Sequence, residues 1–303
     1  MSAKLGRLTL RLYPLAFQRR YGDELRALLE QSPPGWLEVL DLARGALIAH
    51  LRPPKAAAAC VHPVDRVRAS SGGVLACWVV FAAAGFAFYK TTEDSPFSAA
   101  GHAHPLLGAA HVVVQAIAVM ASAMVVVGAL PLIVAALVHA RREHSLRLIV
   151  QPIVPLVFFA CLTAILIIVA GGQPGRRGGA ITTSYIAFTV WGLIGLGCGL
   201  VCAVRCRDAL FAIRVPRRDL LVALGSATFV SLAMIAIAAA TAVYAIALAV
   251  DASGLSASST GPFQVLSTAA ALIVEVVVMV AAAALAVTAT RRGWRMAGRL
   301  ADA

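Results

Sequence analysis

The sequence predicts an all-α protein, a six-helix transmembrane bundle with a small N-terminal cytoplasmic helical module, and three observations carry that prediction. The 303 residues are 60% hydrophobic and 13% charged, with a mean hydropathy of +0.86, whereas soluble domains carry about a quarter charged residues. Six apolar stretches approach or exceed the ~20 residues that a helix needs to cross a hydrocarbon core of roughly 30 Å. Finally, 23 of the 26 Lys and Arg residues fall in four segments set apart by every second apolar stretch, which is the positive-inside asymmetry of a multi-pass protein.

Residues 1–68 have the only soluble-type pattern. Short amphipathic helices are expected over Leu5 to Arg52, interrupted by Pro14 and by the Pro33–Pro34 pair, because proline interrupts a helix; the helix between these sites and the one beyond them carry apolar stripes. In the first, Phe17, Tyr21, Leu25 and Leu28 form one apolar stripe beside Arg19, Arg20, Asp23 and Arg26; in the second, Leu37, Leu40, Leu47 and Leu51 form another. So short a segment makes only a small core of its own, so its stripes are expected to pack on each other and on the membrane surface, the cytoplasmic loops or a partner protein. Tyr13, Phe17, Tyr21, Leu25 and Arg44 are the candidate docking residues. Asp23 and Glu24 are neighbours on a helix, about 100° apart, and so read as solvated face and not as a catalytic pair.

The residues Leu12-Tyr13-Pro14, Phe17, Arg20-Tyr21-Gly22-Asp23-Glu24-Leu25, and then Asp41-Leu42, Arg44-Gly45 and Leu51 carry a resemblance. This segment resembles the permease-prefix-like helical segment that precedes the spans of bacterial, actinobacterial-type multi-pass membrane proteins, most of them without an assigned activity. The resemblance implies a cytoplasmic helical module leading into a multi-span domain, in proteins linked to transport or membrane signalling. The chain differs from the permeases in having neither a large extracytoplasmic domain nor a recognisable nucleotide-binding domain.

The membrane domain, residues 69–290, is expected to hold spans at about 73–89, 111–138, 149–170, 183–204, 221–250 and 265–289. The second is long and has a candidate bend at Pro131. Eleven Lys and Arg precede the first span, three lie in Arg141 to Arg147, five in Arg205 to Arg218, and four in the basic tail 291–303. Those segments are assigned to the cytoplasm, together with both termini. The opposite connections hold only Lys90, Arg176 and Arg177, and the longest, Lys90 to Leu107, is too short for a separate binding domain. The first long apolar stretch starts near Gly73, so no cleavable signal peptide is expected. Cys77, Cys161, Cys198 and Cys202 lie in apolar runs, with Cys60 and Cys206 on the side assigned to the cytoplasm. A disulfide framework is therefore not expected.

The net charge of +12 does not point to nucleic acid, because the basic residues flank spans and form no basic domain. Candidate partners are the lipid bilayer, anionic headgroups above all, a cytoplasmic protein, and a second copy of the chain. Arg outnumbers Lys 23 to 3, which fits a high-GC bacterial genome.

Glu275 is the sharpest candidate for chemistry. It stands about midway along the sixth stretch, in Leu272-Ile273-Val274-Glu275-Val276-Val277-Val278, where a carboxylate costs several kcal/mol unless it is protonated, paired or wet. Thr163, Thr241 and Tyr244 are its expected partners. A proton or cation site and a plain interhelical hydrogen bond both fit this pattern. His102, His104 and His111 near Glu93 and Asp94 lack a fixed metal-ligand spacing. Cys198, Cys202 and Cys206 share one helix face, which cannot alone surround a metal; with Gly192, Gly195 and Gly199 they read better as a small surface for close packing. Arg214, Arg217 and Arg218 read as headgroup contacts more readily than as a coupling element. No phosphate loop, nucleophile elbow or dinucleotide fingerprint occurs, so no enzymatic activity, metal or cofactor is expected.

These features point to a multi-pass protein of the bacterial plasma membrane, acting in membrane signalling or assembly through its N-terminal module. The alternative is a permease-like subunit or small transporter that uses Glu275.

Overall fold

The computed structural model describes residues 10, 13, 15–32, 35, 37–39, 41–42, 45, 63–142, 147–171, 181–213, 215–258 and 267–299. The chain forms two compact units, 1–66 and 67–303. Every regular element among the described residues is helical.

In the first unit, α1 (Leu15–Gln31) runs between the two proline sites of the sequence. Its end is closed by the Ser32 N–H, which donates to Leu28 O at 2.9 Å, and the Pro33–Pro34 pair that follows cannot continue a helix. Leu10 and Tyr13 are buried, and Phe17, Leu25 and Leu29 pack against them. The Tyr13 and Phe17 rings stack at 4.6 Å, and Phe17 meets Tyr21 at 4.9 Å. Gly45 closes this small core. A Cβ there would stand 2.6 Å from the Tyr13 oxygen, so the close approach requires glycine.

The second unit contains six helices long and apolar enough to cross a membrane, which makes the chain a multi-pass membrane protein. They are α2 (Pro63–Thr92), α4 (Pro105–Arg142), α5 (Arg147–Gly171), α6 (Ile181–Ala212), α7 (Arg217–Asp251) and α9 (Thr268–Arg299). Five outrun at both ends the apolar stretches expected from sequence, and the sixth runs past its expected end at 289, while residues 265 and 266 of its expected start lie outside the described residues. The excess is mostly in polar flanks, because a helix continues wherever its backbone ladder is satisfied, and long basic side chains bring their charges to the interface from inside it. Pro131 does not divide α4.

The connection Lys90 to Leu107, expected as a loop, holds the helix α3 (Ser95–Ala103). Asp94 precedes it and Pro96 sits in its first turn, where a missing N–H costs nothing. Phe97 and Ala100 are buried, so the segment covers that end of the bundle. Gly101 and Gly108 let α3 fold back on α4: a Cβ on Gly108 would meet Gly101 O at 2.7 Å. The short α8 (Ser253–Ala257) lies between α7 and α9.

The core is shared by α2, α3, α4, α7 and α9, with α7 at its centre. Hydroxyls link these helices toward one end of the bundle, the start of α2 and the first half of α7 against the last turns of α9. Ser70 on α2 donates to Ala289 O on α9 at 2.8 Å, Ser231 on α7 and Thr290 on α9 are 3.0 Å apart, and the Trp294 indole N–H on α9 donates to Thr228 at 2.8 Å. Ser226 on α7 donates to Met124 O on α4, in a space that Gly128 leaves open. The hairpin of α5 and α6 is held by the Trp191 N–H, which donates to Thr163 at 2.8 Å, and by Trp191 stacking on Phe159 at 5.2 Å. Arg207, at the end of α6, lays its stem on Gly72 of α2, and Gly293 of α9 abuts both Ser70 and Leu224. One end of the bundle therefore gathers Arg68, Arg207, Arg217 and Arg295, and the other is poor in bases.

Candidate functional site

The candidate site lies at the base-poor end, where α2 finishes and α9 begins. There α9 is seated by Ser258, whose carbonyl accepts from both the Thr268 backbone N–H at 2.9 Å and the Thr268 hydroxyl at 2.8 Å. Glu275 follows seven residues into a helix of 32, about 10 Å along its axis. It stands in the first third of the helix because α9 runs on beyond the apolar stretch, through the basic flank to Arg299. The side chain is 6% exposed.

Its hydrogen-bond partner is Thr91, whose hydroxyl lies 3.2 Å from Oε1. Thr91 is the penultimate residue of α2 and is fully buried. The same hydroxyl lies 3.0 Å from Ala87 O, one turn back in its own helix. The second carboxyl oxygen, Oε2, has no hydrogen-bond partner among the described residues. Leaving such an oxygen buried and dry is costly, the more so if it is charged.

One turn before Thr91, Phe88 is buried on the same helix, and residues at i and i+3 share a face. Its ring meets Tyr244 edge-on at 5.3 Å and His111 at 6.1 Å, and those two rings are 6.1 Å apart. The His111 Nε2 pairs with the Gln115 amide at 2.9 Å. The last turns of α2 thus touch a buried acid through Thr91, and a phenol and an imidazole through Phe88. Lys90, next to Thr91 in sequence, does not neutralise the acid. Its ammonium donates to both carboxylate oxygens of Glu93 at 2.7 Å.

The partners expected for Glu275 are placed differently. Thr163 belongs to the α5–α6 hairpin, where it accepts from Trp191 and donates to Phe159 O at 2.8 Å. Thr241 is fully buried and its hydroxyl has no hydrogen-bond partner among the described residues, while Tyr244 packs on Phe88. Neither bonds the acid. Hydropathy gave depth only, whereas facing depends on the helix phase and on where α2 ends. The signal that could have found Thr91 is the pair Thr91–Thr92 closing the first apolar run, at i+3 from Phe88.

In the N-terminal unit, Tyr13, Phe17 and Leu25 build the module's own core. Tyr21 is half-buried beneath the Arg20 guanidinium, 5.5 Å from its ring centre. Burial first, and then the Asp41 carboxylate, push the Tyr13 phenol above its ordinary value. Among the described residues of the module, the large apolar side chains left exposed are Leu28 and Leu37. Arg44 lies outside the described residues.

Cys202 and Cys206 bring their sulfurs to 4.0 Å. No group of three or more metal-ligating side chains occurs among the described residues. The glycines of α6 divide: a Cβ on Gly195 would strike the Phe159 ring at 2.6 Å and one on Gly199 would strike Val79 at 2.7 Å, while Gly192 has nothing within 4 Å. Comparison of the chain with family models, curated proteins and solved structures gives no match.

Proposed function

We propose that the protein is a non-enzymatic, multi-pass protein of the bacterial plasma membrane, with both termini cytoplasmic, that serves membrane signalling or assembly through its N-terminal helical module. The observation that carries this reading is the module itself. It is a compact unit distinct from the bundle and spends Tyr13, Phe17 and Leu25 on its own core. Leu28 and Leu37 stay exposed, as apolar residues of a contact surface for a protein would. The permease-prefix-like resemblance points the same way, and the basic flanks at one end of the bundle support the orientation.

The test is site-specific crosslinking from Leu28 and Leu37 in native membranes, combined with co-purification. Deletion of residues 1–66 is expected to remove the crosslinked partner while the bundle still inserts. A deleted form that keeps every interaction partner would overturn the proposal.

A second reading is favoured by one observation, the unpartnered Oε2 of a buried acid. In it the chain is a permease-like subunit or small transporter whose pathway passes Glu275. Glu275→Gln is then expected to abolish transport without affecting partner binding, and a nucleotide-binding protein would co-purify. Under the first reading, partner binding survives the substitution and no transport is lost.

A further inference from the structure

We infer that Glu275 and Thr91 form a proton-binding site, in which the acid carries an exchangeable proton and donates it in a hydrogen bond to the Thr91 hydroxyl. The inference starts from a count of hydrogens. The Thr91 hydroxyl lies 3.0 Å from Ala87 O and 3.2 Å from Glu275 Oε1, and it owns a single hydrogen. It can donate at full strength to one of these oxygens at a time. Ala87 O is a carbonyl with no hydrogen to give, so apart from sharing the one Thr91 hydrogen in a weaker three-centre bond, one solution satisfies both contacts: Glu275 O–H donates to Thr91, and Thr91 O–H donates to Ala87 O. That solution requires a neutral acid.

The surroundings agree. The side chain is 6% exposed and Oε2 has no partner among the described residues, so a carboxylate would hold one oxygen bare in an apolar bundle. Nor does the site supply a metal ion with ligands. Hard cations take about six or more oxygens, and one carboxyl with one hydroxyl falls far short. A proton needs only the acid and one acceptor.

The titratable groups on the packed elements leave the acid to itself. On α4 His111 is engaged with Gln115, on α7 Tyr244 is packed on Phe88, and on α3 His102 is exposed, with His104 half-buried just beyond it. At the end of α2, Lys90 is paired with Glu93, while Asp94 before α3 and Asp251 at the end of α7 are exposed. Proton release breaks the acid O–H bond and passes the proton to water at this end. The Thr91 hydrogen then turns from Ala87 O to the new carboxylate, and the bond between α2 and α9 reverses polarity without a change of partners. The inference is independent of which reading of the function holds.

The test is infrared difference spectroscopy of the full-length protein in lipid nanodiscs. At neutral pH the wild type is expected to show the carbonyl stretch of a neutral carboxylic acid, displaced in D₂O. Glu275→Gln should remove it. Thr91→Val should move it to higher frequency by deleting the acceptor, and Thr91→Ser should restore it. The Thr91 pair reads the same band without touching the acid, so the test survives a Glu275→Gln protein that does not reconstitute. Absence of the band from wild type, its indifference to D₂O, or an unmoved band in Thr91→Val would each overturn the inference.

Discussion

The apolar centres of α7 and α5 have the same mean hydropathy, 2.3 over 18 residues, yet 56% of the residues in the first stretch are buried within the protein and none of those in the second. Small side chains contribute to the difference. The buried face of α7 intersperses Ala223, Ser226, Ala227, Ser231, Ala233, Ala238, Thr241 and Ala247 among larger residues such as Leu224, Met234, Ile237 and Leu248, and α5 shows Val150, Ile153, Leu156, Phe158, Ile165, Ile167 and Ile168 on its exterior. Lipid tails are as apolar as leucine, so apolarity does not draw one span against another. Small residues allow the backbones of α7 and its neighbours to approach closely, and its larger buried residues fill the spaces between them. The six spans accordingly form a central group of α2, α4, α7 and α9 and a hairpin of α5 and α6 that adds no residue to the shared core among those described.

The sharpest way to break this contrast is to cut equivalent volume from the two groups. Met234 on α7 is fully buried, and Ile168 on α5 is 72% exposed. Met234→Ala is expected to cost about 2–5 kcal/mol through the cavity it leaves. Ile168→Ala should stay within about 0.5 kcal/mol, as surface changes do. Reversible unfolding in detergent or bicelles measures both, and equal losses would mean that the hairpin shares the core's stability.

A smaller effect is expected from filling space. A Cβ on Gly128 of α4 would fall on Ser226, whereas Gly192 of α6 has nothing within 4 Å. Gly128→Ala should therefore destabilise by about 1–3 kcal/mol through overpacking. Gly192→Ala should be neutral, or stabilising by up to about 1 kcal/mol through helix propensity. A stable Gly128→Ala protein would show that α4 and α7 can separate at little cost.

These two comparisons also mark how far the sequence could be read. Spans and basic flanks were legible because length, apolarity and charge are properties of one segment at a time. Placement of the spans was legible only where small residues were weighed as a pattern. Gly195 and Gly199 do receive Phe159 and Val79, but the richer set of small residues on α7 is a stronger signal of the same kind. Glu275 stood out because a lone acid in an apolar run needs an explanation. Its partner did not, since Thr91 lies at the end of another helix and pairing depends on two helix phases and the register between them. The nine-residue α3 was hidden by Pro96 and Pro105, which mark helix starts as readily as loops.

The finest distinction concerns two hydrogen bonds of similar strength. Ser231 with Thr290 joins α7 to α9, and Trp191 with Thr163 joins α6 to α5. Interhelical bonds of this kind are worth about 0.6 kcal/mol in double-mutant cycles, so energy alone does not separate them. The location of the response does. Removing the first pair with Ser231→Ala and Thr290→Val should lower the stability of the whole bundle, because both partners are buried in helices that supply the shared core. Removing the second with Trp191→Phe and Thr163→Val should raise hydrogen exchange in α5 and α6 while α7 keeps its protection, because those two helices are held chiefly by each other and local opening follows the weakest cooperative unit. Exchange that rose equally in α7 would make the six spans one cooperative body, and the hairpin would lose its standing as a separable part.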